Sequence, residues 1–444
     1  MALTKGSSLP GTSGPSLPGA GSVAVTARGF TVLLVAAFAL LLAGCASRPY
    51  QGEAVANSSF LQRALTQENG PIRVSAAVPD DAETAVLTGL DLYEQGIQPV
   101  WLEVENRGTA PARIALWSID RDYFAPIEVA YMNRKPFSAD GYAAMERWFY
   151  DNGLKRTVPP GESRSGLVFT HFQPGTKGFN LDVYSSRAAH SFTFFVPMPG
   201  FTADYMEVDF AHLYAGRETR QLDPDSLKTL LEEELPCCAQ GRDPGTDGGP
   251  INVVMVGTPL AVRRSLLRGG WHETAAGSME RARDRYYLGR NPDAVFYIER
   301  KDGEERINLH LWRAPWDVDG EPGWVGQVYY HYIEDDFFAN LRRRFGRGNT
   351  AFLSILAQES VSADVDSAQH YLLQNFWYNQ SLRKVGIVNG VGRSTPDAPR
   401  VTAGGIAYFT DGTRVVLFLS ETPVALDKTQ LLYDQRLSRR GAQP

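Results

Sequence analysis

The stretch Ile251-Asn252-Val253-Val254-Met255-Val256-Gly257 is a nearly continuous apolar run, and it decides the fold of the second half of the chain. A strand without polar alternation is typical of one that is buried on both faces of a sheet. The next residues, Thr258-Pro259, predict the start of a helix, because threonine caps helices and proline suits their first turn. A single glycine separates strand from helix, so a phosphate-binding loop and a nucleotide site are not expected.

Further strands surround this buried one. The dipeptides Asp302-Gly303 and Asp411-Gly412 each separate two strand-like runs, which is a signal for a tight hairpin. Helices are expected at residues 335–344 and 367–383. The expected strands cover residues 294–300, 306–312, 324–332, 406–409 and 414–419. Together these patterns predict an α+β domain with a mixed or antiparallel sheet over residues 248–425.

The first half of the chain has short apolar runs separated by turn signals, a pattern that is typical of an all-β sandwich. Residues 98–106 alternate with a period of two, so that Val100, Leu102 and Val104 share one face. Turn signals follow at Asn106-Arg107-Gly108 and at Pro159-Pro160-Gly161-Glu162, each before another apolar run. This order of strands and turns resembles bacterial immunoglobulin-like domains. The resemblance implies an immunoglobulin-like β-sandwich over residues 71–200.

The amino-terminal segment has the pattern of an export signal. Arg28 precedes an uncharged run at residues 29–41, which is shorter than the roughly 20 residues that a membrane span needs. Leu42, Ala43 and Gly44 then stand directly before Cys45, and this series resembles the bacterial lipobox. The resemblance implies cleavage before Cys45, acylation of that cysteine and a lipid anchor in a membrane. An uncleaved signal anchor is the alternative.

Length and composition limit the remaining possibilities. A chain of 444 residues is long enough for two or three domains. The net charge of −6 argues against a general nucleic-acid binder, which needs a basic face. The expected division is a cleaved signal segment at 1–44, a tether at 45–70, the sandwich at 71–200, a helix and linker at 201–247, the α+β domain at 248–425 and a tail at 426–444.

The two other cysteines are adjacent in sequence. Export would allow Cys237 and Cys238 to form a strained vicinal disulfide, whereas two simple thiols at a helix end are the more ordinary alternative. A second pair of cysteines is absent, so a zinc site of the paired-cysteine type is excluded. None of the seven histidines has the spacing of a helical ligand pair. We therefore expect neither a metal nor a cofactor.

Polar residues line one face of two neighbouring predicted strands. Periodicity places His310 on the face opposite the apolar side chains of its strand, and His331 on the corresponding face of the next strand. This face could be a binding groove, a hydrolytic site that pairs histidine with a carboxylate, or an ordinary solvent-exposed surface. The candidate binding residues are Asp293, Arg306, Asn308, His310, Trp312 and His331.

An ordered series of short pieces runs through the second half of the chain. It comprises Leu235-Pro236-Cys237, residues 250–257, Gly270-Trp271, Gly289-Arg290 with Asp293, residues 306–312 and Trp324-Val325-Gly326. Together they are similar to the LssY C-terminal domain family, over roughly residues 225–425. The family strand resembles Arg-x-His-x-Arg-x-Trp, and here two of its polar positions are changed. The resemblance implies work near a membrane, and it carries no established chemistry.

These observations predict a lipid-anchored protein of the bacterial envelope that acts as a non-enzymatic interaction or scaffold module. Ala46 follows the acylated cysteine, and this resembles the pattern that sorts lipoproteins to the outer membrane, facing the periplasm. The expected partners are the membrane, through the lipid, and an envelope protein. The alternatives are an envelope hydrolase that uses His310 and His331, and an accessory factor of export or envelope assembly that binds a lipid or hydrophobic ligand.

Overall fold

The computed structural model describes residues 48–185, 188–210, 212–216, 218–241, 243–277, 285–300, 305–333 and 359–433. The described chain is mostly β-structure with few helices. The signal motif that ends at Cys45, the Asp302-Gly303 turn and the helix expected at residues 335–344 lie outside the described residues. Among the residues described, no helix combines the length and the apolar character that crossing a membrane requires.

Eight strands in the first half form two four-stranded antiparallel sheets, with the orders β1-β2-β3-β6 and β5-β4-β7-β8. Their bounds are β1 Leu65–Asn69, β2 Ile72–Ala77, β3 Ile97–Asn106, β4 Ala112–Ala115, β5 Thr157–Val158, β6 Ser163–His171, β7 Thr176–Tyr184 and β8 Ala189–Pro197. The inward side chains of both sheets share one apolar core, which includes Val100, Leu102, Phe179 and Leu181. The apolar side chains that alternate along β3 therefore pack against those that alternate along β7 in the opposite sheet.

Three helices cover the outer face of the first sheet: α1 Asp81–Thr88, α2 Pro126–Met132 and α3 Ala139–Asn152. Asp80 and Ser138 cap α1 and α3 by accepting hydrogen bonds from Glu83 N–H and Gly141 N–H. Apolar side chains of these helices pack on Trp101 of β3, which therefore lies in a second core although its neighbours Glu103 and Glu105 are polar.

The second half is built on one mixed sheet of ten strands. The main order is β13-β14-β15-β16-β12-β21-β18-β22, with β17 beside β16 and β9 beside β15. Two further pairs, β10 with β11 and β19 with β20, stand apart. The bounds are β9 Arg220–Leu222, β10 Cys238–Gln240, β11 Asp247–Pro250, β12 Val253–Val256, β13 His272–Glu273, β14 Ala294–Arg300, β15 Glu305–Val318, β16 Glu321–Ile333, β17 Glu359–Val361, β18 Leu382–Asn389, β19 Arg400–Val401, β20 Ala407–Tyr408, β21 Thr413–Leu419 and β22 Gln430–Leu432.

The central strand β12 is buried on both faces, as its sequence predicts. It pairs antiparallel with β16 and parallel with β21. Val253 and Met255 belong to the apolar core on one face of the sheet, and Val254 and Val256 belong to the core on the other. Because an apolar core covers each face of the sheet, the side chains of β12 are apolar on both faces and do not alternate with polar ones.

Helices supply part of both covering layers: α4 Pro224–Thr229, α5 Pro259–Arg268 and α6 Val365–Tyr378. The predicted start of α5 is confirmed, because Thr258 accepts a hydrogen bond from Ala261 N–H and Pro259 opens the helix. The helix expected at residues 367–383 ends earlier, at Tyr378. The chain beyond it becomes β18, because residues 382–389 pair with β21 in the sheet.

The hairpin predicted at Asp411-Gly412 is wrong. The strand that precedes it, β20, pairs with β19 and not with β21. The reason is a tertiary contact: the Asp366 carboxylate on α6 accepts hydrogen bonds from Thr410 Oγ1 (2.7 Å) and from Asp411 N–H (2.7 Å). These bonds hold the turn against the helix and direct the preceding residues away from β21.

Candidate functional site

Pairing of β15 with β16 brings the predicted polar residues together on one face. Arg306 lies opposite His331, Asn308 opposite Tyr329, and His310 opposite Gln327. The two strands run antiparallel through the middle of the ten-stranded sheet, so their alternate residues point the same way. The polar residues that periodicity assigns to one face therefore do lie on one face, because β15 and β16 pair in this register.

Of the three alternatives for this face, an ordinary solvent-exposed surface does not fit its centre, which is buried, although Arg306 and His331 remain partly exposed. His310 is 6% exposed and Trp312 is fully buried. Trp312 lies in the apolar core of the second sheet face, so it is a packing residue rather than part of an open groove. The residues that adjoin Gln327 and Tyr329 come from two distant chain segments: Gly249 and Pro250 from one, and Thr402, Ile406 and Tyr408 from the other.

His310 is held as a neutral imidazole. Arg285 Nη1 and Tyr329 Oη both lie 3.2 Å from His310 Nε2. A guanidinium can only donate, so Nε2 accepts and the ring proton is on Nδ1. Burial lowers the pKa of His310 well below its usual value, and the positive charges of Arg285, His331 and Arg306 lower it further.

Aromatic rings support the guanidinium groups of the cluster. Arg285 lies 4.7 Å from the ring centre of Tyr329, and Arg306 lies 3.8 Å from that of Tyr297 on β14. These distances are those of cation–π contacts. Sequence periodicity missed Arg285, since it lies on no predicted element and reaches the face only through the tertiary fold.

Buried polar atoms of the cluster without a hydrogen-bond partner among the described residues include His310 Nδ1, Gln327 Oε1 and Arg306 Nε. A cavity of about 30 Å³ adjoins Arg285, Gln327 and Tyr329. That volume is enough for one ordered water. Gly249 lies against the Gln327 side chain, and a Cβ there would lie 1.8 Å from Gln327 Nε2 and displace that amide.

Asp293 belongs to a different cluster. Its carboxylate binds Arg290 Nη1 at 2.9 Å and accepts from Arg313 N–H at 2.7 Å. Arg290 also donates to Tyr214 Oη at 2.8 Å. Burial raises the pKa of Asp293, and the neighbouring Arg290 opposes that rise. The carboxylate that a histidine hydrolase needs is thus engaged in fixing the start of β14.

One group of potential metal ligands lies at another place in the described chain. Atoms of Cys237, Cys238 and Asp247 lie within 4.8 Å of one another. The two sulfur atoms are bonded to each other in a vicinal disulfide. The pairing that the sequence leaves open is therefore a covalent bond in the structure.

Comparison with known proteins gives one family. Residues 234–413 match the family described as LssY C-terminus. The match includes β12, the β15–β16 hairpin and the buried polar face. None of the curated proteins matches the chain. The ordered pieces that suggest the family from sequence lie within or beside the matched range, and the chain carries an LssY C-terminal-like domain.

Proposed function

We propose that this protein is a lipid-anchored component of the bacterial envelope whose folded body is a non-enzymatic interaction module. The observation that carries the proposal is the burial of the histidine face. His310 is only 6% exposed, its Nε2 is engaged by Arg285 and Tyr329, and the adjoining cavity is about the size of one water, so the described residues leave little room for a substrate beside it. The hydrolase alternative therefore lacks both an open site and a free carboxylate at Asp293.

The lipid anchor is proposed from the motif Leu42-Ala43-Gly44-Cys45. Acylation at Cys45 would place the protein at the envelope, and Ala46 favours the outer membrane with the folded body in the periplasm. More than one acyl chain is needed for firm anchoring, since a single chain binds only marginally. The membrane is thus the first proposed partner.

The proposed contact surface for an envelope protein is the helical layer of the first half. Ile127 and Tyr131 lie one turn apart on α2 and are 62% and 54% exposed. Tyr150 on the neighbouring α3 is 68% exposed. Exposed aromatic side chains with flanking arginine are typical of protein interfaces, and Arg134 lies over the Tyr131 ring at 3.6 Å.

The fold of the first half is proposed to be immunoglobulin-like. Two antiparallel four-stranded sheets around a shared core support this assignment. Many cell-surface domains share the sandwich architecture, which fits the proposed role. The division into a tether at 45–70, a sandwich at 71–200 and an α+β domain at 248–425 remains part of the proposal.

A second candidate is an accessory factor of export or envelope assembly that holds a hydrophobic ligand. A cavity of about 190 Å³ favours it, because its lining is largely apolar and includes Phe210, Phe296, Leu311 and Trp324. Apolar cavities of about this size bind benzene-sized molecules. Calorimetric titration of the protein with benzene or toluene separates this candidate from the first: saturable binding that a Phe296→Trp substitution abolishes would support it, and no binding would contradict it.

The test of the interaction module is crosslinking in intact membranes with Cys45 unchanged. A photo-crosslinking amino acid at Tyr131 is expected to capture one envelope protein. The matched control carries the same amino acid at Tyr378, which is 69% exposed on α6 in the other half of the chain, and is expected to capture none. Equal capture at both positions, or capture at neither, would contradict the proposed surface.

The anchor is tested separately. Mass spectrometry of the purified protein is expected to find acyl groups on an amino-terminal Cys45. Cys45→Ser is expected to move the protein from the membrane fraction to the soluble fraction. An amino terminus upstream of residue 45 that carries no lipid would refute the anchor. The surface at α2 would then still be tested by the crosslinking experiment alone.

A further inference from the structure

The vicinal disulfide has an environment that the proposed interaction module does not explain. Arg400 Nη2 donates to Cys237 Sγ at 3.1 Å, and Tyr408 Oη lies 3.4 Å from Cys238 Sγ. Cys238 is buried, whereas Cys237 is partly exposed. A donor thus lies on each sulfur, and the sulfur beside the charged donor is the one that solvent reaches.

The backbone around the disulfide is fixed by a buried arginine. Arg414 donates to the carbonyls of Leu235 and Pro236, directly before Cys237, and to that of Ile251, whose N–H donates to Cys237 O. These hydrogen bonds attach the residues before the cysteines to β21 and to Ile251 through groups other than the two sulfur atoms. The incoming group reaches Cys237 from solvent, where this residue is partly exposed, while a cavity of about 630 Å³ borders Pro236, Cys238 and Asp247 beside it.

We propose that Cys237 and Cys238 are a thiol–disulfide exchange site that takes electrons from an external dithiol. The thiolate of the dithiol attacks Cys237 Sγ, the S–S bond breaks, and its electron pair moves to Cys238 Sγ beside the Tyr408 hydroxyl. The second thiol of the reductant then attacks its own sulfur in the mixed disulfide and releases the Cys237 thiolate beside Arg400.

The exchange balances as a two-electron reaction. The external dithiol is oxidised to a disulfide, and the Cys237–Cys238 disulfide is reduced to two thiols that gain two protons. Arg400 favours release of the Cys237 thiolate, because a guanidinium stabilises a thiolate more than it stabilises a disulfide sulfur. In the reverse direction the same charge makes Cys237 the attacking thiolate.

The charges favour exchange over metal binding. Arg400 lies 3.5 Å from Asp247, the third potential ligand, as well as beside Cys237. A fixed positive charge between these ligands opposes a cation and attracts a thiolate. The inference does not depend on the lipid anchor or on the surface at α2.

The test is reduction of the full-length protein, purified from membranes in the presence of an alkylating agent. Folded protein is incubated with dithiothreitol, quenched with acid and labelled. Mass spectrometry then counts labels on the tryptic peptide of residues 229–242, which contains both cysteines and excludes Cys45. Before reduction we expect the peptide to carry a disulfide and no label. After reduction we expect both cysteines to be labelled together, while the protein stays folded.

Arg400→Gln is expected to slow reduction of the folded protein about tenfold or more, since it removes the charge that stabilises the Cys237 thiolate. Asp247→Asn is the control, because it removes the carboxylate beside Arg400 and keeps the guanidinium. Its reduction rate is expected to match or exceed that of the wild type. A purely structural effect of loosening this loop would accelerate reduction in both variants.

Three results would overturn the proposal. The first is a pair of free thiols in the protein as purified. The second is a disulfide that dithiothreitol reduces only after unfolding. The third is an unchanged or faster reduction rate in Arg400→Gln. If Arg400→Gln fails to fold, the first two measurements on the wild type still decide the matter.

Discussion

The side chain of His310 shows how a buried titratable group makes stability depend on pH. In the folded protein its pKa is held well below the usual value, first by burial and then by Arg285, His331 and Arg306. In the unfolded chain it takes up a proton below about pH 6.5. Protonation therefore favours the unfolded state, and stability is lost as the pH falls through this range.

We expect His310→Gln to change this dependence. A glutamine oxygen can still accept from Arg285 and Tyr329, and it does not titrate. Between pH 7 and pH 5 the wild type is expected to lose about 2 kcal/mol of unfolding free energy relative to the variant. Urea unfolding at both pH values measures the difference. His370→Gln, at an exposed position of α6, is the control and should leave the wild-type dependence intact; identical pH profiles for all three proteins would contradict the assignment.

Arg414 is the second residue whose role only the tertiary structure shows. It is fully buried, and it donates to the carbonyls of five residues: Leu231, Leu235, Pro236, Ile251 and Gly390. Burial lowers the pKa of Arg414 to about 10. One guanidinium thereby satisfies backbone acceptors from three separate chain segments, at residues 231–236, 251 and 390.

Arg414→Met is expected to lower the unfolding free energy by at least about 3 kcal/mol, because several buried carbonyls lose their donor while the side-chain volume is nearly kept. Urea unfolding measures the loss. Arg393→Met removes an exposed arginine from the same region and is expected to cost less than about 0.5 kcal/mol. A similar cost for both substitutions would show that the carbonyl contacts contribute little.

At the scale of elements, the β15–β16 hairpin is the main support of the second sheet. Its long strands place alternate side chains in two different layers: Leu309 and Leu311 in one core, Trp312 and Trp316 in the other. Gly323 allows the Trp316 ring to lie flat against β16, since a Cβ at that position would lie 1.7 Å from the ring. The hairpin therefore needs a glycine opposite a buried tryptophan.

Gly323→Ala is expected to destabilise the protein by about 1–3 kcal/mol, because a rigid buried ring must move. Trp316→Leu in the same chain removes the ring and should recover part of that loss. A double-mutant cycle by urea unfolding measures the coupling between the two positions. Additive effects, with no coupling, would mean that the ring does not set the requirement for glycine.

At the scale of the whole molecule, a buried polar network joins the two halves. Glu273 on β13 accepts from Thr176 Oγ1 of β7 at 2.6 Å and from Arg263 Nε of α5 at 2.8 Å. Nearby, the Asp204 carboxylate accepts from Val295 N–H at 2.9 Å, and burial raises the pKa of Asp204 to about 7. These contacts tie the β-sheets of the first half to the second sheet.

We expect Glu273→Gln to lower the unfolding free energy by about 3–5 kcal/mol, because Arg263 loses its carboxylate in a buried setting. Calorimetry is expected to show the two halves unfolding in separate transitions. Thr176→Val, which removes one neutral hydroxyl and keeps the ion pair, should keep a single transition. Separate transitions in the wild type itself would show that the network does not couple the halves.

The sequence by itself predicts the elements whose signals are local. The apolar run of β12, the cap of α5 and the alternation of β3 depend on neighbouring residues alone, and the structure has each of them. The mixed sheet of the second half and the LssY C-terminal-like domain are confirmed as well. The grouping of Arg306, His310 and His331 on one face followed from strand periodicity and is confirmed by the register.

Only the tertiary structure decides what covers that face. Periodicity separates the two sides of a strand, but it does not tell a solvated side from one beneath another layer, because both tolerate polar residues with partners. Arg285, Gly249 and Tyr408 come to the His310 region from distant parts of the chain. The same holds for the Asp411-Gly412 turn, where a carboxylate on α6 outweighs the local hairpin preference. Contacts between residues that are far apart in sequence decide these features, and patterns of neighbouring residues do not predict such contacts.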